Sequence, residues 1–211
     1  MMNLLSSRDA ASLGTFRLDV GDGHELFIAQ SGNPDGIPAV FLHGGPGSGC
    51  QPAHRELFDP ARFRVVLPDQ RGAGQSTPKG SLVANTTAHL IADLERVRET
   101  LGIERWMVVG GSWGATLGIA YAEAHPKRVT ALALRAVFLG TPQELQWAFS
   151  DGPRALRPEL WAALTALLPS EEQQDPFAAL ARRISDSDPA VHTAAACVWG
   201  DFERTLSEIC P

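Results

Sequence analysis

The sequence predicts an α/β fold, a mostly parallel sheet with helices on both faces, followed by a helical block. Three observations predict it. From Ala39 onward, short apolar runs of buried-strand type alternate with loops or helices, the order that builds parallel sheets, because each crossover lays a helix against a face. Residues 86–101 carry a clear helical period. After Leu139 the strand signal stops and only helical segments follow.

The elements follow in chain order. Residues 15–19 and 25–30 partly alternate, and Gly21-Asp22-Gly23 between them marks a turn, so they pair as a hairpin. Residues 39–42 and 64–67 are short buried-type strands, each ending where a polar, Gly-rich segment begins. In residues 86–101, Leu90, Leu94, Val97 and Leu101 share one face, Thr86 or Thr87 caps the start and Gly102 closes the end. Residues 106–109 read as a strand, 115–124 as a helix rich in small residues, and 129–134 as the next strand. Beyond them, 141–149, 158–168, 177–184 and 189–206 read as helices, with Pro or Asp near their starts. The expected organisation is a core over residues 1–140 and a helical lid over 141–211.

Composition narrows the function. The 211 residues are 44% hydrophobic and 20% charged, enough for one sizeable core. The net charge of −6 is mixed along the chain, with no basic stripe to hold nucleic acid. Cys50, Cys197 and Cys210 are odd in number, far apart and without CxxC spacing, which disfavours a disulfide framework or zinc site and points to a reducing compartment. The start, MMNLLSSRDA, lacks the charged and apolar regions of a signal peptide. The apolar stretch over residues 106–122 is broken by glycines and is not a membrane span. A cytoplasmic protein without membrane contact is expected. There is no HExxH, paired Cys/His spacing, P-loop or dinucleotide fingerprint, so no metal and no cofactor is expected. The oligomeric state is left open.

Gly110-Gly111-Ser112-Trp113-Gly114 matches G-x-S-x-G between a strand and a helix, the context of an α/β-hydrolase nucleophile elbow. A sharp strand-to-helix turn pushes the serine hydroxyl above the sheet edge, and the helix start directs N–H groups toward an oxyanion. Ser112 is the candidate nucleophile. His43-Gly44-Gly45-Pro46-Gly47, directly after the strand at 39–42, sits where this fold draws a second oxyanion N–H. His43 reads as structural, because the triad order in this fold puts histidine after serine. Asp69-Gln70-Arg71-Gly72-Ala73-Gly74-Gln75-Ser76, after the strand at 64–67, reads as a structural loop beneath the catalytic loops, the alternative being a local Asp69–Arg71 ion pair that supports the site.

HGGPGSGC, DQRGAGQS and GGSWGATLG at these spacings, with SGNPDGIPAVFLHGGPG and LALRAVFLG, resemble the proline iminopeptidases from about Thr15 onward. The resemblance implies an α/β-hydrolase-fold serine peptidase that releases an N-terminal proline, so its partner is a peptide with that residue free. It implies Ser112 as nucleophile, and an oxyanion hole from the N–H groups of Trp113 and Gly45, with Gly44 the near alternative. Phe138 and Trp113 would wall the proline pocket. The family's W-x-x-W-E pattern falls on Trp199-Gly200-Asp201-Phe202-Glu203, with Phe in the second aromatic position. Glu203 would then bind the substrate's α-amino group through a charge-assisted hydrogen bond, with Trp199 beside it.

A base for Ser112, and an acid to orient that base, are also required. Only His125 and His192 follow Ser112, the first closing a helix before Pro126 and the second early in a helix capped by Asp188. Neither lies in a loop after a late strand, where the fold carries its base. The sequence therefore looks like the N-terminal two-thirds of such an enzyme. Another serine hydrolase of this fold, an esterase or amidase, and an inactive remnant are the alternatives.

Overall fold

A computed structural model of the chain describes residues 12–207. The readings made on MMNLLSSRDA and on Cys210 lie outside the described residues. Contacts between residues divide the chain into two compact units, Met1–Gly140 and Thr141–Pro211.

The first unit is built on six strands, β1 (Ser12–Gly21), β2 (His24–Gly32), β3 (Ile37–Leu42), β4 (Phe63–Pro68), β5 (Trp106–Ser112) and β6 (Val129–Val137). Their order is β1-β2-β4-β3-β5-β6. β1 and β2 run antiparallel, as does β2 against β4, whereas β4, β3, β5 and β6 are mutually parallel. The β1–β2 hairpin turns at Asp22, whose φ of 56° lies in the left-handed region between two positive-φ glycines. Alternate strand residues go to opposite faces. On one, Ile28, Val40, Val66 and Val108 pack with Leu90, Leu94 and Val97 of α1 (Thr87–Thr100) and Leu117 of α2 (Trp113–Ala124). On the other, Ala39, Phe41, Val65 and Leu67 pack with Phe58. Each such fully buried large side chain contributes about 1.5–3 kcal/mol. β6 pairs with β5 alone among the described residues, and its Leu132 and Val137 are exposed.

A polar cluster joins α1 to α2 and β5. Arg98 of α1 holds Glu95 in a two-pronged ion pair, the Tyr121 hydroxyl of α2 donates to Glu95 at 2.5 Å, and the Trp106 indole donates to Tyr121. These partners, Arg98 foremost, hold the Glu95 carboxyl down at about 2. Because the folded value lies below the ordinary one of 4.5, this stability is present above the unfolded pKa and disappears as pH falls from about 4.5 toward 2. Its size is about 2–3 kcal/mol at most, for a side chain 16% exposed. Glu95→Gln is expected to flatten that acid limb in denaturant titrations at pH values between about 5 and 2. An unchanged limb would show that the cluster does not report on acid stability.

The second unit holds α3 (Pro142–Gln146), α4 (Gly152–Leu156), α5 (Pro158–Ala166), α6 (Pro176–Ile184) and α7 (Pro189–Ser207). Its core is Leu164, Leu168, Ala179, Leu180, Ala195 and Phe202. The helix expected over 141–149 instead continues through a π-helical turn, Trp147–Asp151, into α4. Pro153 lacks an N–H and crowds the preceding turn, and the wider π turn gives its ring room. Gly152 is needed there, since a Cβ would lie 2.7 Å from the Trp147 carbonyl. A 3-10 turn at Pro52–Leu57 was also not expected. No helix is long and apolar enough to cross a membrane among the described residues.

Candidate active site

The site is set by two glycine-dependent turns pressed together. β5 runs three residues further than its apolar residues suggest and ends on Ser112, which passes directly into α2. Ser112 has φ 55° and ψ −125°, a conformation that disfavours any side chain. It is exposed. The turn is this tight because its neighbours lack Cβ atoms. A Cβ on Gly110 would lie 2.3 Å from the Gly114 carbonyl, and one on Gly114 would lie 2.1 Å from the Leu42 carbonyl. The end of β3 is thereby brought against the start of α2. Trp113 is the first residue of α2, so no carbonyl one turn earlier in the helix accepts its N–H.

The loop after β3 lies against this turn. A Cβ on Gly44 would sit 3.5 Å from the Ser112 Cβ. Gly45 has φ +114°, and a Cβ there would meet the Gly47 nitrogen at 2.2 Å. The Gly44 carbonyl accepts from the Ser48 hydroxyl at 2.7 Å and from His43 Nδ1 at 2.9 Å. Across the trans Gly44–Gly45 peptide, the Gly45 N–H points the opposite way, and it bonds no acceptor among the described residues. His43 is fully buried. Its Nε2 faces the Gln70 N–H at 3.0 Å, while its Nδ1 faces both the Gly44 carbonyl at 2.9 Å and the Gly49 N–H at 3.2 Å. A carbonyl can only accept, so the tautomer with the proton on Nδ1 keeps the two shorter contacts and forgoes the Gly49 one. Burial pushes its pKa down, in keeping with a neutral ring. His43 is a structural residue of this loop.

Gln70 was not singled out by its residue type. Its Nε2 donates to the His43 carbonyl at 2.9 Å, and its Oε1 accepts from the Trp113 indole at 2.9 Å. Its neighbours belong to a buried structural loop, and the alternative reading of an Asp69–Arg71 ion pair does not hold. Asp69 accepts from the N–H groups of Cys50 (2.6 Å) and Gln75 (2.8 Å). Arg71 reaches across the fold to Asp93 of α1 through two bonds of 2.7 and 2.8 Å, and to Asp22 in the hairpin at 2.9 Å. Its last two N–H groups go to the carbonyls of Ala84 and Val20. The loop is polar and buried, and long-range partners satisfy it better than an adjacent residue, whose side chain points elsewhere. Cys50 donates weakly to the Pro68 carbonyl, and burial pushes its thiol far up, which leaves it a poor nucleophile. A cavity of about 410 Å³ lies in this unit, lined by Pro46, Gly47, Gln70, Asn85, Leu90 and Trp113 among others.

Each of the six histidines in the sequence has another engagement. His24 bonds the Val83 carbonyl, His54 accepts from Gln51, His89 meets the Thr86 hydroxyl, and His192 bonds the Asp186 carbonyl. His125 ends α2 against Tyr121 and Glu95.

Phe138 follows β6, and its carbonyl accepts from the Thr116 hydroxyl of α2. The residue before it, Val137, is the register partner of Ser112. The structure thus brings Ser112, Gly44, Gly45, Trp113 and Phe138 together in the first unit. Trp199 and Glu203 lie in the second, four residues apart and hence on one face of α7. Trp199 packs with Phe149, Phe177 and Phe202. Glu203 is exposed, yet partial burial pushes its carboxyl up while the Trp199 side chain pulls it down.

A strand-turn-helix serine, a Gly-rich loop after β3 and a six-stranded sheet of this order define a class. The α/β hydrolase fold family matches residues 38–179, and the chain belongs to it. More particularly, the chain is 47% identical over 90% of its length to the proline iminopeptidase of Xylella fastidiosa strain 9a5c, of which it covers 61%. It is 45% identical over 92% of its length to the proline iminopeptidase of Arabidopsis thaliana, of which it covers 51%. The chain thus spans about three-fifths or less of the length of these relatives. Among solved structures, a proline iminopeptidase-related protein of Thermus thermophilus superposes with a TM-score of 0.55. That match has 24% identity and covers 89% of this chain and 66% of the other, a likeness of fold.

Proposed function

We propose that the protein is a serine aminopeptidase that releases an N-terminal proline from peptides through an acyl-enzyme at Ser112. The observation that carries this reading is the strained, exposed Ser112 at the start of α2, with the Gly-rich loop after β3 lying against it. The similarity to proline iminopeptidases supplies the substrate class. Ser112 Oγ attacks the prolyl carbonyl while a general base takes its proton. The N–H groups of Gly45 and Trp113 bond the oxygen that gains the charge. The Gly44 N–H, which likewise bonds no acceptor among the described residues, is the near alternative for that position. The tetrahedral intermediate expels the peptide amine, which takes the proton. Water then hydrolyses the prolyl ester by the same steps and restores Ser112.

The base and its acid are assigned outside residues 12–207, since every described histidine is engaged elsewhere. The Glu203 carboxylate of α7 binds the cationic α-amine and Trp199 packs alongside, while Phe138 and Trp113 wall the proline ring. The cytoplasmic setting rests on the unpaired Cys50 and Cys197.

The test compares a prolyl anilide with a simple aryl ester, using the full protein. Glu203→Gln is expected to raise KM for the anilide about tenfold, in line with loss of a charge-assisted bond, and to leave ester turnover unchanged. Because burial lifts its pKa, anilide binding should also weaken as pH falls through the upper end of the carboxylate range. Equal effects on both substrates would remove Glu203 from amine binding and favour a simple esterase or amidase.

A further inference from the structure

We propose that Gln70 is a positioning residue that clamps the two halves of the oxyanion hole at a fixed spacing. The inference rests on the reading of Gly45 and Trp113 as the oxyanion donors. Those donors lie on separate pieces of chain, the loop after β3 and the start of α2, and no covalent link sets the gap between them. Gln70 comes from a third piece, directly after β4, and its side chain spans both. Oε1 accepts from the Trp113 indole and Nε2 donates to the His43 carbonyl, each at 2.9 Å. Its main-chain N–H holds His43 Nε2 at 3.0 Å, and the His43 Nδ1 proton in turn holds the Gly44 carbonyl. One chain of hydrogen bonds therefore runs from the Trp113 ring through Gln70 and His43 to the peptide that carries the Gly45 N–H.

Gln70 is buried at 6% exposure, so these bonds lie in a medium where they are strong and expensive to lose. The residue type matters as much as the position. Only a side chain with one acceptor and one donor at its tip satisfies an indole N–H on one side and a carbonyl on the other. Glutamate offers two acceptors when ionised, so it keeps the Trp113 bond and opposes the His43 carbonyl. Protonated, it carries one O–H and rebuilds both. Leucine fills the volume and makes neither.

The experiment follows amide NMR spectra of the full protein, with the base and acid of Ser112 in place, and labelling of Ser112 by a fluorophosphonate. In Gln70→Leu the Trp113 indole N–H is expected to exchange with solvent at least about tenfold faster. The Gly44 and Gly45 amides should shift, while those of β1 and β2 stay in place. Labelling of Ser112 should slow about tenfold, the cost of misplaced donors. In Gln70→Glu the Gly44 amide, which shares its peptide with the His43 carbonyl, should return toward its wild-type position as pH falls from about 7 to about 4. A side chain that only fills space gives no such return.

Unchanged Gly44, Gly45 and Trp113 signals in Gln70→Leu, or labelling at the wild-type rate, would overturn the clamp. If Gln70→Leu does not fold, the pH series of Gln70→Glu decides alone, and the absence of any return overturns the proposal. Wild-type protein that resists labelling while the amide shifts appear would instead sink the assignment of Ser112 and leave the clamp standing.

Discussion

Ser112→Ala is expected to lower prolyl anilide turnover by at least about a thousandfold and to abolish fluorophosphonate labelling, without loss of fold. The size follows from chemistry. Without the hydroxyl no acyl-enzyme forms, and only binding and the oxyanion donors remain to act on a water molecule. The stability side of the prediction follows from backbone geometry. At φ 55° the serine sits where side chains are disfavoured, and the alanine substitution keeps the same Cβ in the same place. Ser112→Gly should relieve that cost and raise stability by about 1 kcal/mol while activity is lost just as fully. A residue whose replacement strengthens the fold and removes the reaction is held there for the reaction. Kinetics and urea midpoints on the two variants check both halves. Turnover that survives in Ser112→Ala would refute the nucleophile, and a Gly variant less stable than wild type would refute the strain.

Asp93→Ala is expected to destabilise the protein by about 3–5 kcal/mol, a large share of the stability of an ordinary domain. Arg71 and Asp93 are both nearly inaccessible, with side-chain exposures of 2% and 5%. Removing the carboxylate strands a buried guanidinium whose remaining charged partner, Asp22, is half in water at 49%. Asp22→Ala, by contrast, should cost far less, because water replaces a half-exposed partner. The contrast between two acids on one arginine separates burial from mere pairing. Equal losses in denaturant titration would contradict it. Arg71 follows Gln70 in the chain, so Asp93→Ala should also slow Ser112 labelling, through the loop that braces the oxyanion donors.

These two residues also show how far the sequence reaches. Ser112 was legible because its turn needs glycines at fixed offsets, and because a strand and a helix flank it. The strands at residues 39–42 and 64–67 were legible because both faces are buried, so their apolar residues run without a break. The partners of Arg71 were not legible, because proximity along the chain offers only Asp69 whereas buried charges choose partners by geometry. Asp22 and Asp93 are brought to Arg71 by the hairpin and by α1, and no local pattern announces that. Gln70 was missed for a related reason. It carries no charge, and its value lies in joining His43 to Trp113, two residues 70 positions apart. The extension of β5 through Gly110 and Gly111 was hidden because glycines there read as loop. They remain in the strand because Gly110 and Gly114 must touch backbone to backbone. The π turn before α4 was hidden because Gly152-Pro153 usually ends a helix, and here the turn widens around Pro153.

The central claim is that a prolyl group passes through Ser112. Mixing the full protein with a prolyl ester, quenching in acid within the first turnover and mapping peptides by mass spectrometry tests it most directly. The account predicts a prolyl adduct on the peptide that carries Ser112, absent from Ser112→Ala and lost on standing at neutral pH as water hydrolyses the ester. Steady prolyl turnover with an adduct on another residue, or with the same adduct in Ser112→Ala, would contradict it.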